Sequence, residues 1–462
     1  MSYLWSKKFA MPTNPLLDEI REEIFADSYS SIDFASSKKV VSVFARHISK
    51  SWLLNILNWI LSNIYIPFLR SDSLAKNGEE HVLNLIRLSD VSTHSTGLVS
   101  IDCFLSMICI FAAEGPDSKN LPRMQENSFE YLWMNPEGLQ AMSIPGGHTW
   151  ETSFALQTMA LSGMGDKPNC KESMQRAYHF LIKQQHLEDW SDSPPAYPFS
   201  RIGGWPFMTK RSGYSCSDCT GEALKAILLA KSRTDIEGPE GVDLEKNIRL
   251  GIDNLLMVQN TTGGYSSFEP IQGSKYIELL NGTELFGDVM VEYDYVECTG
   301  SAIEALTLFH SLDGQYRSKD VQQAIDRGTK FIRKEQCEDG SWVACWGIGF
   351  TYGAKFALEA LSTVGETFDN SLSVRRGCNF LIRRQKKNGG WGETIQSVFD
   401  RVYSEAEDSH TVHTAWALLA LMHAKYPEKE PIKRGIRLIM DRQQENGQWL
   451  QEEAAGCGIL TW

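Results

Sequence analysis

Apolar residues recur at helical spacing along most of the chain, and the breaks between these runs separate two kinds of sequence. The first residues read as a loop at Met11-Pro12-Thr13-Asn14-Pro15, a helix from Leu16 to Phe25 and a polar connection. From Trp52 to Ile66 eleven of fifteen residues are apolar, and Asn55, Asn58 and Ser62 make one narrow polar stripe. Pro67 is expected to end or kink this helix. It falls short of the roughly 20 residues that span a bilayer. Two readings remain: a buried core helix, or one lying in a membrane interface with Trp52, Trp59 and Tyr65 as anchors. Val82 to Leu88 and Ile101 to Ala113 predict two more helices, the second closed by Glu114-Gly115-Pro116.

After Pro136-Glu137-Gly138 helix pairs alternate with Gly-rich turns, as in an all-α (α/α) barrel whose inner helices wall a cavity. The domain boundary is placed near residue 140, giving residues 1–140 and 141–462. Three segments repeat one plan: Arg327-Gly328 through Gln336 to Trp342, Arg376-Gly377 through Gln385 to Trp391, and Arg434-Gly435 through Gln443 to Trp449. Weaker copies run from Ala177 through Gln184 and Gln185 to Trp190, and from Gly251 through Gln259 to Tyr265. In each, a Gln at a helix end can bond both the turn backbone and the start of the next helix, while the aromatic ring covers the junction. These repeats hold helices together and carry no chemistry. The stretch Asp189 to Arg201, with Pro194, Pro195 and Pro198, reads as a stiff loop over one end of the cavity.

Chemistry concentrates in Tyr214-Ser215-Cys216-Ser217-Asp218-Cys219-Thr220-Gly221-Glu222, which runs into the helical pattern that starts at Ala223. The ordinary reading of Asp218 is a helix cap. The sharper one is a carboxyl in an apolar pocket, where desolvation raises its pKa and keeps it a proton donor, with Cys219 as a neutral orienting partner. Cys216 and Cys219 spell C-x-x-C, yet no second such pair and no βαβ pattern accompanies them, so neither zinc nor redox chemistry is read here.

Fifty-eight acidic and 45 basic side chains give a net charge of -13, which argues against a nucleic-acid partner. The ten Cys are scattered, in keeping with reduced thiols, and no secretion signal is visible. The repeats together with the Asp-Cys-Thr stretch are the specific feature. The chain resembles the oxidosqualene cyclases, in the triterpene cyclase family that includes lanosterol synthase and squalene-hopene cyclase, and is nearest their fungal branch. Met1-Ser2-Tyr3-Leu4, Tyr131-Leu132-Trp133-Met134, Asp288-Val289-Met290 with Tyr295 to Thr299, and Trp346-Gly347 with Phe350 to Gly353 carry the likeness further.

The resemblance implies a barrel with these glutamine-tryptophan (QW) repeats and part of a second α-barrel before it. It implies protonation of 2,3-oxidosqualene by Asp218, with Cys219 and Cys298 as thiol supports and Glu222 returning the proton. Trp150, Phe207 and Trp346 match the family's cavity aromatics, and Phe268 stands where the family has Tyr. No cofactor or metal is implied. The lipid substrate and the family's monotopic attachment imply contact with a membrane from the cytosolic side, at the endoplasmic reticulum or lipid droplets, and bring the interfacial reading of residues 52–66 level with the buried one.

Gly221 stands for the family's Ala and Cys216 for an aliphatic residue. A family His lies upstream of the point that Met1 matches, and the likeness stops after Ala454-Ala455-Gly456, so the chain is read as truncated at both ends. The rival readings are an inactive truncated cyclase or gene-model fragment that binds lipid or a partner, and a helical scaffold.

Overall fold

The structure is a computed structural model, which describes residues 1–34, 46, 48–135, 138–142, 144, 146–164, 167–190, 197–284, 287–450, 452 and 456. The chain forms two compact units, the first made of Met1–Val91, Ser95–Ala141 and Ser274–Met290, the second of Ser92–His94, Met142–Gly273 and Val291–Trp462. The first therefore draws in a segment from deep within the later sequence.

The first unit begins with α1 (Ser2–Lys7) and α2 (Pro15–Ile24). Asn14 caps α2 by accepting the Leu17 amide at 2.9 Å, and Pro15 occupies the first turn, where its missing N–H costs nothing. Next, α3 (Trp52–Ile60) continues in π turns over Leu61–Leu69 with Pro67 inside them. Pro67 thus does not end the helix: the wider π turn removes the usual clash of its ring with the carbonyl four residues back. The result is an 18-residue apolar helix, Trp52–Leu69, long and apolar enough by composition to cross a membrane, with none of that length buried. Trp52, Trp59 and Phe68 are 69%, 60% and 79% exposed, so the buried-core reading does not hold. Then follow α4 (Asp72–Ser92), α5 (Ser100–Glu114), α6 (Leu121–Ser128) and the hairpin β1 (Leu132–Asn135) with β2 (Gly138–Ala141). A small core of Ile110, Leu121 and Met124, with Leu83, Ile86, Met107 and Phe111 packed on it, joins α4, α5 and α6.

The second unit is built from helical hairpins: α7 (His148–Leu161) with α8 (Pro168–Gln184), α9 (Ser217–Arg233) with α10 (Leu244–Val258), α11 (Val296–Leu312) with α12 (Ser318–Lys334), and α13 (Gly349–Thr363) with α14 (Leu372–Arg383). After β3 (Trp391–Glu393), a short α15 (Gln396–Asp400) and β4 (Glu405–His410), α16 (Thr411–His423) pairs with α17 (Lys429–Asp441). The first helix of each hairpin packs on the next, α7 on α9, α9 on α11, α11 on α13 and α13 on α16, while the second members lie outside this wall. The fold is all-α with an (α/α) arrangement. The middle inner helices are buried all round, α9 from Ser217 to Ala230 and α11 from Val296 to Leu306, because small residues let them meet closely. A Cβ on Gly221 would stand 2.6 Å from the Ser301 carbonyl, so the glycine that replaces the family's Ala is what brings α9 against α11.

The repeats are staples with one geometry. Gln336 donates to Gly340 O and Ser373 O, both at 2.9 Å, and Gln385 to Gly389 O at 2.8 Å and Pro431 O at 2.7 Å. Each therefore ties its turn to the start of the next outer helix. The indole N–H of Trp342 and Trp391 returns to Ile332 O and Leu381 O, at 2.8 and 2.7 Å, one turn before the Gln. Gly263, Gly340 and Gly389 share φ of 94°, 95° and 94° at the turn, a left-handed backbone that favours glycine.

The weaker copy needs correcting. Gln185 makes the same two bonds, to Gly203 O at 2.9 Å and Asn247 O at 2.8 Å, but the indole that returns to Leu181 O at 2.7 Å is Trp205, not Trp190. The long loop inserted between Gln185 and Trp205 hides the spacing. Pro194 and Pro195 of that loop lie outside the described residues. Its described ends carry a separate aromatic group: Trp190 stacks on Tyr197 at 4.2 Å, and Arg201 lies 4.4 Å over the Trp190 ring.

Candidate active site

Inner helices α9 and α11 begin with matching residues, Asp218-Cys219-Thr220-Gly221 and Glu297-Cys298-Thr299-Gly300. The threonines are structural. Thr220 Oγ1 accepts the Trp205 amide at 2.9 Å and donates to Cys216 O at 2.7 Å. Thr299 Oγ1 accepts the Tyr265 amide at 3.0 Å and donates to Tyr295 O at 2.7 Å. Each pins a repeat turn to the next inner helix and thereby fixes where the acid and thiol before it stand.

Asp218 is buried, 9% exposed, and its Oδ1 accepts the Cys219 amide at 2.7 Å. Burial pushes its carboxyl up to about 6, while bonds from the Cys219 amide and from the Cys219 and Cys298 thiols pull the other way. Burial likewise drives both thiols well above their ordinary pKa, so they remain neutral donors. Asp218, Cys219 and Cys298 therefore meet at one point, the grouping that the family resemblance implies. Glu222 is the exception. It lies one helical turn further along α9, turned into an ionic cluster and bonded by Ser301 Oγ at 2.8 Å and Gln157 Nε2 at 2.7 Å.

A polar chain missed in the sequence leads from the acid to an aromatic. Trp346 Nε1 donates to Ser267 Oγ at 2.9 Å, and Ser267 Oγ lies 3.6 Å from Cys298 Sγ. Glu297 Oε1 accepts the amides of Cys345 at 2.5 Å and Trp346 at 3.0 Å, which orients the Trp346 backbone. Glu292 is a second missed acid. It accepts the amides of Ser267 at 3.4 Å and Phe268 at 3.2 Å, and burial, first of its causes, pushes it up to about 7.

Trp150 stacks toward Phe356 at 6.4 Å, meets Phe154 edge-on at 4.7 Å, and lies 6.3 Å from Phe207. Trp346, Trp150, Phe154 and Trp416 all pack against buried Ala344, Tyr352 and Phe356. The structure thus brings Trp150, Phe207 and Trp346 into one aromatic assembly, with Phe154, Tyr352, Phe356 and Trp416 unforeseen. The helical spacing of Trp150 to Phe154 and of Tyr352 to Phe356 was the available signal. Phe268 belongs elsewhere. It is 37% exposed and meets Tyr214 edge-on at 6.3 Å.

Donor atoms of Cys216, Asp218 and Cys219 lie within 4.8 Å of one another, close enough to gather round a thiophilic ion. Loss of the Cys219 proton, which burial opposes, would have to accompany such binding.

Residues 147–461 match the model of the squalene-hopene cyclase C-terminal domain. The chain belongs to that family. This match runs past Gly456, where the likeness was read as stopping, although residues 457–461 lie outside the described residues. Among curated relatives, lanosterol synthase erg7A of Aspergillus fumigatus is 40% identical over 99% of this chain and 60% of its own length. Terpene cyclase/mutase ntnI of Nectria sp is 39% identical over 100% of this chain and 63% of its own. Lanosterol synthase ERG7 of Saccharomyces cerevisiae is 38% identical, over 99% and 62% respectively. The chain spans a little under two thirds of the length of these relatives.

Proposed function

We propose that the chain is a triterpene cyclase that converts 2,3-oxidosqualene to a tetracyclic alcohol of the lanosterol or protostane type. The observation that carries this is Asp218, a buried carboxyl with its pKa pushed up to about 6 and with thiols as side-chain partners. Thiols orient an acid without ionising it, so the proton stays available for the epoxide oxygen. As the C–O bond opens, carbon–carbon bonds form in turn and positive charge moves along the polyene. The faces of Trp150, Phe207 and Trp346 attract that charge without offering a strong nucleophile. Water has to be kept from these faces, because it would trap the cation early.

The exposed helix Trp52–Leu69 is proposed to lie in a membrane interface, with Trp52, Trp59 and Phe68 in the lipid, where so apolar a substrate resides. Attachment from the cytosolic side, at the endoplasmic reticulum or lipid droplets, is what the resemblance to monotopic cyclases adds to that proposal. Domain roles are proposed with it: a partial second α-barrel in residues 1–140 and the catalytic barrel in 141–462.

The test is expression of the 462-residue chain in a host lacking its own cyclase, fed 2,3-oxidosqualene, with products read by mass spectrometry. A cyclised alcohol is expected. Its absence from a folded chain would favour the inactive reading.

A further inference from the structure

Ser267 stands between the acid and the aromatic assembly, and each of its polar atoms has a partner. Its carbonyl accepts the amide of Ser217, the residue just before Asp218, at 2.8 Å, and the Ser217 hydroxyl donates to Ser266 O. Its amide goes to Glu292 at 3.4 Å, as the Phe268 amide does at 3.2 Å. The backbone is thus held from the start of α9 on one side and by Glu292 on the other. Its side chain lies in a residue only 3% exposed, with Oγ 2.9 Å from Trp346 Nε1 and 3.6 Å from Cys298 Sγ.

These contacts run in one direction. An indole N–H can only donate, so Ser267 Oγ accepts from Trp346. The hydroxyl hydrogen then needs an acceptor of its own, because a buried donor without one is costly, and Cys298 Sγ is in reach. The Cys298 thiol hydrogen is in turn given to the Asp218 carboxyl. The hydrogens therefore all point the same way, from Trp346 through Ser267 and Cys298 to Asp218. The Trp346 backbone is set separately, by Glu297, which takes the amides of Cys345 and Trp346. Ring and backbone of Trp346 answer to different partners.

We propose that Ser267 is a positioning residue that couples Asp218 to Trp346, so that spending the acid's proton strengthens the aromatic face that meets the cation. The proposal rests on the cyclase reading above. Once its proton has gone to the epoxide oxygen, Asp218 is a carboxylate and draws the Cys298 thiol hydrogen toward it. Hydrogen bonds in a chain polarise one another, so the sulfur pulls harder on the Ser267 hydroxyl, and the hydroxyl oxygen pulls harder on the indole N–H. An indole whose N–H is drawn outward carries more negative charge on its ring, and such a face holds a cation more strongly. Each hydrogen stays on its own atom throughout, so the chain neither supplies nor removes a proton.

Two readouts on the full chain test this. In protein labelled at the indole nitrogens, the Trp346 N–H resonance is identified by its loss in Trp346→Phe. It is expected to move upfield in Ser267→Ala and to move in Asp218→Asn, and less than about a fifth of that second shift should remain when both changes are combined. A resonance that ignores Ser267→Ala, or an Asp218→Asn shift of equal size with and without Ser267, would overturn the coupling whether or not the chain cyclises anything. Where Ser267→Ala fails to fold, a resonance unmoved by Asp218→Asn overturns the coupling and one that moves upholds it. In turnover of 2,3-oxidosqualene, Ser267→Ala is expected to lose about tenfold in kcat with KM within about twofold, and to release a larger share of incompletely cyclised alcohols. Ser267→Thr, which keeps the hydroxyl, is expected to stay within about threefold of wild type in kcat and to keep its product ratio. Equal losses in the two variants with the product ratio unchanged would overturn the positioning role. A wild type that shows the resonance shifts but forms no product would defeat the cyclase reading alone.

Discussion

Helices α9 and α11 start with the same chemistry, an acid, a Cys and a Thr at the head of a buried inner helix, and end in different roles. Both threonines pin a repeat turn and both thiols stay neutral. The acids part company over what they hold. Glu297 spends one oxygen on the amides of Cys345 and Trp346, and so orients an aromatic. Asp218 takes one amide from its own neighbour and points to the thiols of both helices. A shared local sequence thus sets an acid at a fixed place, and the facing backbone decides whether it anchors or donates. The comparison is a close one, because Glu297 Oε2 is buried without a partner and burial raises that carboxyl too.

The largest expected effect separates the two acids in turnover. Asp218→Asn is expected to lower product formation by about 10² to 10⁴-fold, the usual contribution of a positioned acid. Next comes Glu297→Ala, which removes the acceptor of two half-buried amides at about 1 kcal/mol each and should lower the unfolding midpoint in denaturant while loosening Trp346. An unchanged midpoint would remove Glu297 from its anchoring role.

Asp218 makes the opposite prediction for stability. Its carboxyl rises from 3.8 to about 6 on folding, so the native state binds the extra proton and stability falls as pH climbs through that window. Above it the penalty is about 3 kcal/mol, from about 1.4 kcal/mol per pKa unit. Asp218→Asn is therefore expected to stabilise the chain at pH 7 and to lose that advantage below about pH 4, as thermal melts at the two pH values would reveal. A variant no more stable at pH 7 would mean that Asp218 is not a desolvated acid. The smallest effect is the shared one: Thr220→Val and Thr299→Val should each cost about 1–3 kcal/mol, and markedly unequal melts would break the equivalence of the helix starts.

What was legible in the sequence was local. Asp218, Cys219 and the staple glutamines lie within a turn or two of the signals that mark them, and periodicity alone pointed to stacked hairpins. Cys298, Trp150, Phe207 and Trp346 needed the family likeness, because their place depends on packing between helices far apart in sequence. Glu292, Ser267 and the ionic cluster round Glu222 escaped for the same reason: their bonding partners lie on segments far apart in sequence. Trp205 was hidden by an insertion, Pro67 by a π turn that tolerates it, and Phe268 by a likeness that placed it in the cavity while its ring packs on Tyr214.

The most direct test of the account sets Asp218→Asn beside Glu297→Gln in the same cyclase-deficient host, with 2,3-oxidosqualene supplied and products quantified by mass spectrometry. Cyclised alcohol should vanish in Asp218→Asn and persist, at a lower level, in Glu297→Gln. Alcohol that survives in Asp218→Asn and disappears in Glu297→Gln would make Glu297 the proton donor and contradict the account.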